Sequence, residues 1–294
     1  MRPFIGTEAL AAGTVNRYQL ATHHVALHRN VYVPKGVEPT AADRAIAAWL
    51  WSGRVATTAG LSAAALHGSK WVEAKKPAEL VHTSRHHTPG IVLHSDRLAD
   101  DERCRIGGIA ATTPVRTAYD VGRRPGLTEA VIHLDALIQA TGLAASDLAL
   151  LADRHPGARG IRQLRRAITL ADTGAESPQE TRTRLILTAA GLRPTHTQIE
   201  VHDAYGCFVG RIDAGWRDWL VGVEYDGAQH WTDPRQRRRD IDRIAELEAL
   251  GWRIVRVGSD MVRNRPHVIV DRTLAALRTA GYDPPNVKSC MTFR

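Results

Sequence analysis

Between Cys207 and Asp226 the chain carries two runs of apolar, β-prone residues, Cys207–Trp216 and Trp219–Asp226, parted only by Arg217-Asp218. Runs this close can pair only as an antiparallel hairpin, because a parallel pair needs a crossover of a dozen or more residues. With Arg217-Asp218 as the turn, Asp213 faces Gly222 and Glu224 faces Arg211. The two-residue side-chain period then puts Asp213, Glu224 and Asp226 in one row, with Asp213 and Glu224 as diagonal neighbours about 7–8 Å apart. It sends Phe208, Ile212, Trp216, Val221, Val223 and Tyr225 to the opposite face, as a core face. A loop one residue longer would split Asp213 from Glu224, so the acidic row depends on this register.

The flanking pattern makes the hairpin part of a larger unit. A helix over Pro178–Ala190 stops at Gly191, and a strand covers Thr197–Val201 ahead of the hairpin. After it come a helix from Pro234 to Gly251, a strand over Trp252–Val257, and a helix over Pro266–Ala280 closed by Gly281. This αβββαβα order predicts an α/β domain with a mixed sheet over residues 175–285. The small, polar, Pro-bounded Asp172–Pro178 reads as the linker before it. Residues 286–294 read as a disordered tail.

The preceding residues are less regular. Short strands (Glu79–His82, Ile91–His94, Gly107–Ala110) and helices (Thr128–Gln139, Ser146–Ala152, Gly160–Ala171) suggest a mixed connecting domain over 76–174. Residues 1–75 show short helices in Thr7–Leu20 broken at Gly13, a β-ribbon over Val25–Val33, and helices at Ala41–Trp51 and Ser62–Gly68. That is the outline of a winged helix, and the chain as a whole reads as α+β.

No run of about 18 apolar residues and no signal-like N-terminal segment is present, so membrane spanning and secretion are disfavoured and the expected location is the cytoplasm. Cys104, Cys207 and Cys290 are odd in number and far apart, which argues against a disulfide framework or a zinc ribbon. His82, His86, His87 and His94 match no ligand spacing for a metal. The net charge of +8 points to a polyanion, nucleic acid before membrane. Residues 1–170 hold 21 basic and 14 acidic side chains, whereas 171–294 hold 18 and 17. General attraction to a polyanion therefore sits in the first part, and carboxylates are concentrated in the second.

Carboxylates gathered on one strand face repel and raise one another's pKa unless a cation is present. A hard divalent ion suits oxygen ligands, and Mg²⁺ needs only one or two carboxylates while it also meets substrate phosphates. Mn²⁺ serves the same ligands. The competing reading makes these acids salt-bridge partners of Arg211 and of the arginines at 235–243.

Several strings in this region resemble one family. Ser177-Pro-Gln-Glu180, Arg211-Ile-Asp213, Val223-Glu-Tyr-Asp-Gly-Ala-Gln-His230, Arg239-Asp-x-x-Arg243 and Gly251-Trp-Arg-Ile-Val-Arg256 occur in the order seen in endonuclease-like domains related to very-short-patch-repair nucleases. That group lies within the PD-(D/E)XK superfamily, and the resemblance covers about residues 175–280. It implies a metal-dependent endonuclease that hydrolyses phosphodiester bonds, with Asp213 and Glu224 as metal ligands and Glu180 as the helix carboxylate completing the site. Asp226, Gln229 and His230 would line it. Asp226 stands where the wider superfamily has a lysine, so His230 or an arginine would have to take over that lysine's part. Ser177 and Glu180 also fit a helix capping box, which explains both without catalysis.

Arg235, Arg238, Arg239 and Arg243 spread over the solvent side of the 234–251 helix, with Ile241, Ile244 and Ala245 expected to face the core. Next to a metal site they would grip a nucleic-acid backbone; at helical spacing they also fit a self-paired, solvated face. At the other end, Tyr18-Gln-Leu20, His28-Arg-Asn-Val-Tyr-Val33, Ser62-Ala-Ala-Ala-Leu-His-Gly68 and Thr112-Thr-Pro-Val-Arg-Thr-Ala-Tyr-Asp120 resemble the N-terminal part of AbiEi-type antitoxins, over about residues 5–125. This implies a winged-helix DNA-binding module, with Arg17 and Arg29 as DNA contacts and a toxin–antitoxin partner in view. Two readings follow: a metal-dependent DNA endonuclease with a basic DNA-binding half, or an antitoxin-type DNA-binding regulator whose nuclease-like domain is inactive. Nothing in the sequence reads a 2′-hydroxyl, so RNA stays open beside DNA.

Overall fold

A computed structural model describes residues 2–83, 88–124, 126–227, 234–285 and 287, with only the backbone at 234–237. The chain divides into two compact units, Met1–Ala171 and Asp172–Arg294.

The first unit opens with β1 (Phe4–Ile5), α1 (Gly6–Ala11), α2 (Arg17–His23), β2 (His24–His28) and β3 (Val31–Pro34). The ribbon expected over Val25–Val33 is a hairpin, broken where Asn30 takes φ 63. With β1 it forms a three-stranded sheet in the order β1-β3-β2. Then follow α3 (Ala41–Trp51), β4 (Thr57–Thr58), α4 (Gly60–Leu66), β5 (Ala78–Val81), β6 (Ile91–His94), β7 (Arg103–Ile106), β8 (Ile109–Thr112), α5 (Pro114–Arg123), α6 (Leu127–Thr141), α7 (Ala145–Arg154) and α8 (Ile161–Leu170). A second sheet runs β6-β5-β4-β8-β7. In it β4 pairs with β5 and β8, so residues on both sides of position 75 share one sheet. Inside this unit Arg116 is almost fully buried and reaches Glu102 at 2.6 Å and Asp120 at 3.1 Å.

The second unit contains α9 (Pro178–Ala189), β9 (His196–His202), β10 (Phe208–Trp216), β11 (Val221–Asp226), α10 (Pro234–Ala249), β12 (Arg253–Gly258), α11 (Ser259–Asn264) and α12 (Pro266–Thr279). The order matches the αβββαβα expectation, with α11 as an added turn of helix. The sheet order is β12-β11-β10-β9; β12 runs parallel to β11 and the other pairs are antiparallel, making a mixed sheet. Both faces are covered. Leu187, Trp216, Val221, Val223, Val257, Ile269 and Leu277 form the core on the α9 and α12 side. Ile199, Val201, Ile212, Leu247 and Trp252 form the core under α10. A strand buried on two sides loses the clean alternation of a half-buried one.

This two-sided burial corrects the single core face expected from the sequence. Ile212 packs in the core under α10, away from Trp216, Val221 and Val223, and Phe208 is 61% exposed. The change of side falls where β9 and β10 lose a pair: Ile212 pairs with Ile199 and Ala214 with Thr197, while Gln198 between them takes φ 50.

The hairpin turn is also longer than expected. A 3₁₀ turn over Arg217–Trp219 ends on Leu220 at φ 50, and the pairs are Trp216↔Val221, Gly215↔Gly222 and Ala214↔Val223. The loop gains two residues, so side-chain parity survives while the register moves by two. Asp213 and Glu224 become the next residues outward from the last pair, in place of the predicted Asp213–Gly222 and Glu224–Arg211 pairs.

Candidate functional site

Four strand and helix positions bring acids together at the outer end of this hairpin. Asp213 on β10, Glu224 and Asp226 on β11, and Asp240 on α10 line one cavity of about 310 Å³. Arg211, Arg239, Arg243 and Arg256 line the same cavity, so its formal charges balance four against four.

Asp213 is held by backbone. Its Oδ2 accepts a hydrogen bond from the Tyr225 N–H at 2.8 Å, which ties the carboxylate to the neighbouring strand. Burial, the carboxylate of Glu180 and that of Glu224 push its pKa up to about 7, against the Tyr225 N–H that lowers it. A carboxylate in this state has acidic neighbours and too little positive charge near it.

Glu224 is only 7% exposed and is clamped by arginine. Two terminal nitrogens of Arg243 donate to Glu224 Oε1 and Oε2, each at 2.8 Å, in the two-pronged fork that a planar guanidinium makes with a carboxylate. Arg243 also donates to Asp240 Oδ1 at 2.8 Å. Its pKa is raised further, first by the hydrogen bonds it donates to Glu224. Asp240 passes the chain of charges on: its Oδ2 receives Arg256 at 2.9 Å, and the same nitrogen lies 2.7 Å from Asp226 Oδ2. The charge of Asp226 is thus met by Arg256 from β12.

Glu180 sits at the start of α9 beside Asp213. Its backbone N–H donates to Ser177 Oγ at 3.2 Å, the first half of the expected capping box. The second half is absent: its carboxylate reaches past Ser177 to accept from the Glu176 N–H at 2.8 Å and from Gln198 at 3.0 Å. Burial raises its pKa. Glu176 in turn holds Arg211 at 2.6 Å, so Arg211 pairs with an acid outside the row of Asp213, Glu224 and Asp226 that the salt-bridge reading gave it.

The helix arginines divide. Arg238 and Arg239 are exposed, and Arg239 lines the cavity. The side chain of Arg235, together with Gln229 and His230, lies outside the described residues. Of the expected core-facing residues of α10, Ile244 and the unpredicted Leu247 pack under the sheet, whereas Ile241 is 57% exposed and Ala245 is exposed. The inward stripe is Asp240, Arg243, Ile244 and Leu247, an i, i+3, i+4, i+7 series that the acidic cluster turns toward itself. Asp240 and Arg256 lie inside the strings Arg239-Asp-x-x-Arg243 and Gly251-Trp-Arg-Ile-Val-Arg256, yet the sequence assigned neither a role, because no local rule links positions in different elements. In the first unit, Arg17 opens α2 and Arg29 precedes the Asn30 turn, both exposed.

The residues present fit a hard divalent cation. The donors are carboxylate oxygens, Asp213 is short of positive charge, and one or two carboxylates are enough for Mg²⁺ or Mn²⁺. Asp213 and Glu224 are the pair that the sequence expects to hold it, and among the described residues no group of three or more His, Cys, Asp or Glu is gathered about one point.

The second unit carries a nuclease-like domain: residues 191–277 match the restriction-endonuclease-like family model REase_MTES_1575. The chain belongs to the family of two Mycobacterium tuberculosis relatives, Uncharacterized protein MT2308 of strain CDC 1551 / Oshkosh and Uncharacterized protein Rv2248 of strain ATCC 25618 / H37Rv. Each is 32% identical over 197 residues, which is 66% of this chain and 72% of the relative. No solved structure matches the chain. Among the described residues no helix is long and apolar enough to cross a membrane.

Proposed function

We propose that the protein is a metal-dependent DNA endonuclease that hydrolyses phosphodiester bonds, with the acidic cavity of the second unit as its active site. The observation that carries this reading is the adjacency of Asp213 and Glu224 at the end of the β10–β11 hairpin, where burial first and then the neighbouring carboxylates push the Asp213 pKa up to about 7. Asp213 and Glu224 would hold Mg²⁺ or Mn²⁺. When bound, that ion supplies charge stabilisation at the phosphodiester oxygens and activates a water for attack. Tyr225 keeps Asp213 oriented through its N–H. Glu180 adds a third carboxylate field at Asp213. Arg239, which lines the cavity, and Arg238 on the same helix, both exposed, would hold the backbone phosphates, which positions substrate without reading sequence. In the first unit, α2 with the β2–β3 ribbon would act as a winged helix, using Arg17 and Arg29 and the surplus of basic residues before position 171 for non-specific affinity. The expected boundary at 174 and the cytoplasmic location belong to this proposal, whereas the boundary expected at 75 falls inside one sheet, where β4 pairs with β5 and β8.

A second reading has its own support. Asp226 in place of a lysine and the Arg243 clamp on Glu224 suit an inactive nuclease-like domain within an antitoxin-type DNA-binding regulator. Purified protein incubated with supercoiled and single-stranded DNA, and with RNA, in Mg²⁺ or Mn²⁺ separates the two. Nicking by the parent chain but not by Asp213→Ala or Glu224→Ala supports the nuclease. Salt-sensitive DNA binding with no cleavage under either metal would falsify it in favour of the regulator.

A further inference from the structure

The acidic cavity already contains a cation of its own. Arg243 covers both oxygens of Glu224, one of the two carboxylates that a metal would need, and its third contact is Asp240. Glu224 is buried more deeply than its partner: the side chains are 10% and 27% exposed. The cavity lining is balanced at four acids and four arginines, so a divalent ion entering alone leaves an excess of two positive charges. A phosphodiester entering with it removes part of that excess and offers a guanidinium the same two-pronged partner that a carboxylate does. Asp240 and Arg256 provide the exit. Asp240 is shared between Arg243 and Arg256, so Arg243 can let go of Glu224 and stay anchored by one end on α10, directed at the cavity.

Resting on the nuclease reading above, we infer that Arg243 is the resident counter-ion of Glu224 and that a nucleic-acid phosphate draws it off, so that backbone binding and divalent-cation binding at this cavity are coupled. Arg243 is therefore a positioning residue. It keeps the carboxylates paired when no substrate is present, and it passes to the phosphate when the cation takes Glu224. The coupling is reciprocal: whatever factor the backbone adds to cation affinity, the cation adds to backbone affinity.

The test is Mn²⁺ affinity, read by electron paramagnetic resonance of the free ion, for the full chain and for Arg243→Gln, each with and without a duplex oligonucleotide carrying uncleavable phosphorothioate linkages. A duplex RNA of the same length forms a further arm and tells which backbone supplies the phosphate. The parent chain should bind Mn²⁺ about tenfold or more tightly with the oligonucleotide than without it, within the usual range for coupled sites. Arg243→Gln alone should bind Mn²⁺ about as tightly as the parent does with oligonucleotide, and the added oligonucleotide should then change little. Arg243→Lys keeps the charge but loses the fork, so it should fall between the two, and it carries the test if the glutamine variant does not fold. Equal Mn²⁺ affinity of parent and both variants without oligonucleotide overturns the counter-ion role while leaving the metal site standing. No Mn²⁺ binding by any of them, with either duplex present, overturns the metal reading and this inference with it.

Discussion

Arg243 and Glu224 meet with two nitrogens on two oxygens, both at 2.8 Å, yet the two side chains stand in unequal surroundings. Glu224 is nearly buried, while Arg243 is partly open to solvent and keeps Asp240. Removing one partner of a buried pair leaves the other charge unsatisfied, and the cost follows the depth of the survivor. Arg243→Gln should therefore destabilise the metal-free protein by about 3 kcal/mol, because Glu224 is left without a cation. Glu224→Gln should cost about 1 kcal/mol, since Arg243 retains Asp240 and reaches water. Chemical denaturation in a chelator measures both. The reverse ranking would show that Glu224 is not the buried member.

The register that delivers this pair rests on two facing glycines. A Cβ on Gly215 would lie 2.3 Å from the Val221 carbonyl oxygen and 3.1 Å from Gly222 Cα, atoms of backbone that cannot rotate aside. Gly258, in the same unit, has open space around its position and an ordinary φ of −92. Gly215→Ala should lower stability by about 1–3 kcal/mol, or more if the strands cannot part. Gly258→Ala should stay within about 0.5 kcal/mol of the parent. Comparable losses for the two would mean that the close approach of β10 to β11 is not what fixes the hairpin.

The order of elements in the second unit could be read from local pattern because each element announces itself within a few residues: Ser177-Pro178 opens α9, Gly191 and Gly251 close helices, and the apolar runs mark the strands. What local pattern lacked was the count of residues in the turn. Trp219 and Leu220 look like strand residues, yet they complete a 3₁₀ turn whose left-handed Leu220 carbonyl receives the Arg253 N–H at 2.7 Å. That bond comes from β12, a partner no sequence window around the hairpin includes. The same limit hid the pairing of Asp240 with Arg256, and it misdirected Ile241: the inward face of α10 joins Ile244 and Leu247 to the Arg243 ion pair with β11, which leaves Ile241 outside. The acids Asp213, Glu224 and Asp226 could be read together because a shift of two residues preserves parity, whereas a shift of one would have separated them.

The first unit has its own buried ion cluster, which the sequence did not single out. Arg116 on α5 is 2% exposed and bonds Glu102 and Asp120, with Asp96 at 3.5 Å. Glu102 and Asp120 are themselves 2% and 0% exposed. Arg116→Met has nearly the right volume but removes the buried cation shared by the two carboxylates, leaving Glu102 with His155 and Asp120 with Arg123 and Arg124. The loss should be about 3–5 kcal/mol. The triple change Arg116→Met, Glu102→Gln, Asp120→Asn removes the charges together and should recover part of it, as read by thermal denaturation. A single variant as stable as the parent would sink the idea that this cluster organises the unit.

Asp213 gives the pH dependence its sign. Its pKa is raised from 3.8 to about 7 in the folded protein, first by burial and then by Glu180 and Glu224. Between those values the native state keeps a proton that the unfolded state has lost, so stability falls as pH rises through this window and the full penalty is present above it. Asp213→Asn carries no such penalty. In chelator, the variant should be more stable than the parent at about pH 8, by a few degrees in Tm or more, and the gap should close by about pH 4, where both forms are neutral at this position. A divalent cation should reverse the comparison at about pH 8, because it stabilises only the chain that still has the carboxylate, in proportion to its occupancy. Thermal melts across pH with chelator and with Mn²⁺ measure both effects. A parent chain that gains stability relative to Asp213→Asn as pH rises in chelator would contradict the crowded, cation-deficient site described here.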